Sequence, residues 1–274
     1  MASTKLSPGR QNRYQRIAAW IFQRHYQPGM TSVEWDRSEM VEAAEDLGIP
    51  LPKNLGDVVY SIRYRIDLPQ EILDQAPEGM EWVIRSVGRS KYSFDLIPYQ
   101  VRIRPNPNLL VTKIPDATPE IIRSSALGDE QALLALVRYN RLIDVFLGVA
   151  AYSLQNHLRT TAKGIGQVEV DEIYAAVDRY GRQFIIPVQA KGGADEIGIT
   201  QTEQDIAVCR DKWPDKVCRP VSAQFSDNGT IALFELGVQD DRMVVVRESH
   251  YELVDASAIS TEDLALYRNA ARDE

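Results

Sequence analysis

Two short segments, Gln167-Val168-Glu169-Val170-Asp171 and Val188-Gln189-Ala190-Lys191-Gly192, constrain this chain more than any others. Both alternate in the manner of a β-strand, in which residues two apart share a face. Glu169 and Asp171 therefore project together, and so do Gln189 and Lys191. Gly181, within Asp178-Arg179-Tyr180-Gly181-Arg182, marks a turn between them, and Phe184-Ile185-Ile186-Pro187-Val188 reads as a buried apolar run. Paired as a hairpin, the segments bring two carboxylates, an amide oxygen and an ammonium to one patch. Oxygen donors of this kind suit a hard divalent cation, Mg2+ or Mn2+, and a neighbouring lysine suits a water or a phosphate. The plainer alternative is a surface hairpin with a Glu–Lys cross-strand pair. Against it, a glutamine and a lysine closing a nearly all-apolar strand need a reason to be there.

Length and charge narrow the field. The 274 residues allow one large domain or two modest ones, and 44% hydrophobic with 26% charged content is ordinary for a globular protein. No run of eighteen apolar residues exists and the first residues lack an apolar signal core, so neither membrane nor export is expected and the location is read as cytoplasmic. Cys209 and Cys218 are then expected as reduced thiols, and with His157 and His250 so remote they make no zinc site. The net charge of −8 argues against sequence-blind nucleic-acid binding. The first 110 residues are nearly neutral, and the acidic excess lies beyond them, in the part that carries the candidate metal site.

The chain reads as two domains. Helices are expected over residues 11–26, from Ser38 to Gly48, and from about Asn54 through Tyr64, followed by strands around Trp82–Arg85 and Lys91–Leu96. Three helices and a hairpin is the order of a winged helix-turn-helix, here over residues 1–100. In such a module the third helix enters the major groove and the wing touches the backbone. Lys53, Asn54, Ser61, Arg63 and Arg65 would form the reading set, with Arg89 and Lys91 on the wing. The alternative is a small helix-hairpin domain with solvated charges. Residues 101–116, rich in proline and asparagine, read as a linker. From 117 to 274 follow a helix at Thr118-Pro119-Glu120, a longer one over about 129–147, an ambiguous polar stretch at 153–161, and strands over 167–175 and 183–190. A helix opening at Thr202, strands near 220–225, 230–236 and 243–248 with a turn at Asp227-Asn228-Gly229, and a capped helix after Ser260 complete the chain. The fold class is mixed α/β.

Asp171 together with the tripeptide Gln189-Ala190-Lys191 resembles the PD-(D/E)XK nuclease superfamily, and most closely the Mrr-like branch, where glutamine replaces the usual acid before x-Lys. The resemblance covers roughly residues 165–210. It implies a restriction-endonuclease-like core with a central mixed sheet and Mg2+-dependent hydrolysis leaving 5′-phosphate ends. Asp171 would be the principal metal ligand, Gln189 a neutral one, Lys191 the residue that orients water and stabilises the phosphorus centre, and Glu169 an additional ligand. Family members often carry a glutamine or acid on the helix after the lysine strand; Gln201, Glu203 and Gln204 lie there, and Gln204 is expected to face inward. Many also place a glutamate before the first strand, for which Glu130 is the candidate. No proline precedes Asp171; Val170 stands in its place. Arg159 and Lys163 would contact phosphate, and His157 is read either as a phosphate contact or proton shuttle, or as a hydrogen-bonded structural residue.

The reading is a metal-dependent, restriction-type DNA endonuclease acting on double-stranded sites, base-modified ones included, as a homodimer. The alternatives are a non-catalytic DNA-binding regulator on a degenerate nuclease fold, a metal-independent base-excising enzyme using Asp171, and a protein-interaction module.

Overall fold

The computed structural model describes residues 12–64, 66–98, 103–125, 130–192, 197–226, 229–239 and 242–270, with the backbone alone at 57, 60, 63, 64, 269 and 270. Two compact units emerge, Met1–Val101 with Gly164–Gly166, and Arg102–Lys163 with Gln167–Glu274.

In the first unit, α1 (Arg13–His25) begins at a capping box in which the Asn12 side chain and Gln15 exchange hydrogen bonds with each other's backbone N–H. Its spacing buries Ile17, Ala18, Ile21 and Phe22. Next come β1 (Ser32–Asp36), α2 (Glu39–Leu47), α3 (Gly56–Tyr64), α4 (Gln70–Leu73), β2 (Met80–Gly88) and β3 (Lys91–Pro98). Gly48 ends α2 in the left-handed region at φ 63, a conformation glycine adopts without penalty. The strands form an antiparallel sheet in the order β1-β3-β2. Phe22, Trp82 and Phe94 pack edge to face at its centre. β1 and α4 were not anticipated from the sequence. β1 is only five residues long and becomes a strand by pairing with β3.

The second unit comprises β4 (Val111–Pro115), α5 (Glu120–Ser125), α6 (Glu130–Tyr139), α7 (Leu142–Leu147), β5 (Ala150–Ala162), β6 (Gly166–Val177), β7 (Gln183–Gly192), α8 (Ile199–Lys212), β8 (Val217–Cys218), β9 (Val221–Phe225), β10 (Ile231–Gln239), β11 (Arg242–Val254) and α9 (Thr261–Ala270). Its sheet runs β4-β11-β10-β9-β7-β6-β5, with β8 beside β7. β7 is antiparallel to β6 and parallel to β9, and α8 makes the crossover between β7 and β9. The sheet is therefore mixed, as expected. One face, carrying Tyr174, Phe184, Ile186, Val188 and Ala190, packs against Leu133, Leu134 and Val137 of α6 and Leu142, Ile143 and Phe146 of α7. α8 covers the opposite face. Among the described residues, no helix is long and apolar enough to cross a membrane.

Three expectations change. Residues 111–115, assigned to a linker, form β4, which pairs in parallel with β11. The single helix over 129–147 is two: Arg141 adopts φ 51 and breaks it. The Asn140 side chain ties the break down, accepting from the Ala117 amide at 2.7 Å and donating to Thr118 Oγ1 at 2.8 Å. The ambiguous stretch at 153–161 lies inside the 13-residue strand β5, which is exposed over most of its length and so lacks an alternating pattern. Asp227 and Asn228 lie outside the described residues, but β9 and β10 do form the hairpin they were expected to join.

Candidate functional site

The turn after β6 forms as its residues dictate. Asp178 Oδ1 accepts from the amides of Tyr180 and Arg182, both at 2.9 Å, and Gly181 takes φ 80. The two strands are thereby set in register, with Glu172 opposite Val188. The backbone ladder stops there. One step further, Asp171 would oppose Gln189, and its side chain takes over: Oδ2 accepts the Ala190 N–H at 3.1 Å. Directly opposed residues of an antiparallel pair share a face, so Asp171, Gln189 and Lys191 all project to the side covered by α8.

There the surroundings are dry. Gln189 and Lys191 are buried on β7, and Ser222, paired with Gln189 in the β7–β9 register, is buried beside them. α8 contributes Asp205, fully buried, whose Oδ2 accepts from Gln189 Nε2 at 2.6 Å. Burial raises the Asp205 carboxyl well above the ordinary range; the Gln189 hydrogen bond opposes this and the charge of Asp171 adds to it. The Asp171 carboxyl is also raised, chiefly by burial, against the stabilising Ala190 N–H and the charge of Lys191. The Lys191 ammonium lies 3.9 Å from Glu130 Oε1, at the start of α6.

Three buried oxygens here lack a hydrogen-bond partner: Gln189 Oε1, Asp205 Oδ1 and Ser222 Oγ. Leaving such a group unsatisfied costs about 1–3 kcal/mol, so three in one place mark a spot suited to a polar guest. Among the described residues, no three His, Cys, Asp or Glu side chains are grouped closely enough to hold a metal by themselves. Mg2+ does not require that. It binds through one or two carboxylates, keeps several waters and takes substrate phosphate oxygens. Asp171, with the free oxygen of Gln189, fits this mode.

The remaining expected residues distribute unevenly. Glu169 lies on the same strand as Asp171 but half-exposed, 3.2 Å from Arg159 Nε and 3.5 Å from His157 Nδ1. His157 sits at φ 48 in the middle of β5, an uncommon conformation for a residue with a Cβ. Lys163 is exposed just beyond β5. Gln204, expected to face inward, is only half-buried; Asp205 takes the inward place, because Thr202, Asp205, Val208 and Cys209 make up the buried stripe of α8. In the first unit, Lys53, Asn54, Arg89 and Lys91 are exposed, and Asn54 Oδ1 accepts the Gly56 amide at 3.0 Å. Ser61 is half-buried. Arg65 and the Arg63 side chain lie outside the described residues.

Sequence reasoning missed Asp205 and a second buried acid, Glu172. The latter faces α6, where Oε1 accepts from Arg138 Nε at 2.8 Å and Ser153 Oγ at 2.7 Å. Glu172 could have been suspected, since an acid in a run of strand residues next to apolar neighbours needs a cation. Asp205 carried no comparable local signal.

Compared with known proteins, the chain matches no family model, no curated protein and no solved structure.

Proposed function

We propose that the second unit is a metal-dependent phosphodiesterase site acting on DNA. The observation that carries this reading is the convergence of Asp171, Gln189 and Lys191, from two strands, on one dry patch that Asp205 enters from α8 and where partnerless oxygens gather. The order of elements fits the resemblance described above: a helix with Glu130 ahead of the strands, Asp171 and Lys191 on adjacent antiparallel strands, and an acid on the helix after the lysine strand. In this reading Asp171 and the Gln189 carbonyl would hold Mg2+, whose chemistry when bound would be to lower the pKa of a water and to offset charge on the phosphate. Lys191 donates to the water and to the phosphoryl oxygens, and stabilises the charge that builds as the P–O3′ bond breaks. Glu130, 3.9 Å away, holds the ammonium in place. The product carries a 5′-phosphate.

The first unit supports a DNA-reading role. Its order of helix, strand, three helices and C-terminal hairpin, with the sheet order β1-β3-β2, supports reading it as a winged helix-turn-helix, with α4 added ahead of the hairpin. Lys53 and Asn54 sit exposed ahead of α3, and Arg89 and Lys91 flank the tip of the hairpin. Double-stranded DNA is the proposed substrate, and a homodimer the simplest way to cut both strands.

The test is nicking of plasmid DNA in Mg2+, with and without chelator. Asp171→Ala and Lys191→Ala should each abolish cleavage while gel-shift binding persists. Full activity in either variant, or cleavage that survives chelation, overturns the mechanism. A non-catalytic DNA-binding regulator is favoured by one observation, the engagement of Glu169 with Arg159 rather than with Asp171. DNA binding without any Mg2+-dependent cleavage would select it.

A further inference from the structure

We infer that Asp205 fixes the orientation of the Gln189 amide, and that the two residues form a matched pair which excludes an acid at position 189. The argument begins with the 2.6 Å contact between Gln189 Nε2 and Asp205 Oδ2. A glutamine amide has one donating and one accepting end. Here the carboxylate on α8 takes the donating end. Turning the amide over would set Oε1 against Oδ2 at the same short distance, oxygen facing oxygen in a dry site. The carbonyl is thus held away from α8, and it is this Oε1 that is buried without a partner. An untethered glutamine could present either end to a cation and would repel it with one of them. With Asp205 behind it, only the oxygen is offered.

The same contact explains why a neutral residue stands at 189. A glutamate there would place a second carboxylate about 2.6 Å from Asp205, both fully buried. Two such acids in a low-dielectric site cannot both carry charge, so the pair would have to retain a proton at alkaline pH, at a cost in stability that the neutral amide avoids. An asparagine at 205 would remove that conflict, because its amide can donate to a glutamate at 189. It can also accept from Gln189 through its own carbonyl, so it should serve either partner. Asp205 is therefore a positioning residue. Its donor-orienting role rests on the metal-dependent reading above, whereas the pairing does not.

The experiment compares the full-length wild type with Gln189→Glu, Asp205→Asn, Asp205→Ala and the double variant Gln189→Glu/Asp205→Asn at pH 8. Melting temperature and Mn2+ binding by EPR are both measured. Gln189→Glu should lower the melting temperature by roughly 6–12 °C, and adding Asp205→Asn should restore most of it. Asp205→Ala should weaken Mn2+ binding by roughly 10–100-fold, while Asp205→Asn stays close to wild type. If Gln189→Glu melts with the wild type, or no higher in the Asp205→Asn background than alone, the pairing is overturned even where Mn2+ binds. If the wild type binds no Mn2+, the hydrolytic reading and the donor role fall together, and the melting data still decide the pairing.

Discussion

Removing Arg138 should destabilise the second unit through a residue it leaves behind. Glu172 is completely buried, and its Oε1 receives the Arg138 guanidinium at 2.8 Å and the Ser153 hydroxyl at 2.7 Å; its Oε2 has no partner. Arg138→Met deletes the cation and keeps most of the apolar stem. The carboxylate is then left with the Ser153 hydroxyl and the neighbouring Tyr174 hydroxyl, and no cation, in an apolar layer formed by α6 and the sheet. Breaking a buried pair in this way costs about 3–5 kcal/mol. Because the Arg138 side chain is one-third exposed, solvent reaches part of the pair, and the low end, about 3 kcal/mol, is the appropriate figure. For a unit of this size that corresponds to a melting temperature lower by about 6–12 °C. Glu172→Gln in the same background removes the stranded charge and should recover all but about 1 kcal/mol. Urea unfolding by far-UV circular dichroism gives the magnitude, and hydrogen exchange on peptides from α6 and β6 shows where it falls. A single variant within about 0.5 kcal/mol of wild type, the range of an ordinary surface substitution, would refute the reasoning. The result bears on the site, because Glu172 and Asp171 are neighbours on β6 facing opposite sides, so the pair anchors the strand that carries the proposed metal ligand.

Three further outcomes are expected. Asp263 caps α9 through the Ser260 backbone and hydroxyl and pairs with Lys113 at 3.0 Å, and these contacts, the Ser260 backbone N–H foremost, hold its carboxyl below the usual 3.8. Its contribution is therefore complete above that value and lost as pH falls through the depressed one, so Asp263→Asn should lower the melting temperature at pH 7 and converge on wild type at the acid end; a constant gap would contradict this. Cys218 is partly accessible while Cys209 is buried with its thiol pushed up by a hydrogen bond to Cys218 and by desolvation, so titration with a thiol reagent should show one fast and one slow group, and two equal rates would count against the arrangement. Lys91→Ala should reduce the salt dependence of DNA binding by about one unit of slope if the hairpin tip touches phosphate, and an unchanged slope would remove it from the interface.

What local sequence could settle was the face of each strand. Period-two alternation is a property of the chain itself, and it placed Asp171, Gln189 and Lys191 on one side of two strands joined at Gly181. Helix caps are equally local, which is why Gly48 and the Ser260–Asp263 box were legible. The partners of those side chains were not. Asp205 is one of several polar residues along α8, and only the packing of that helix onto β7 selects it over Gln204. The pairing of β4 with β11 joins segments far apart in sequence, so its few residues read as a linker. β5 is mostly exposed and polar; nothing along its own length distinguishes strand from loop, and its extended form comes from the neighbour it lies against. Alternation and capping are fixed by bonds a few residues long, whereas the choice of which polar group meets which is made by burial, and burial exists only once distant elements have come together.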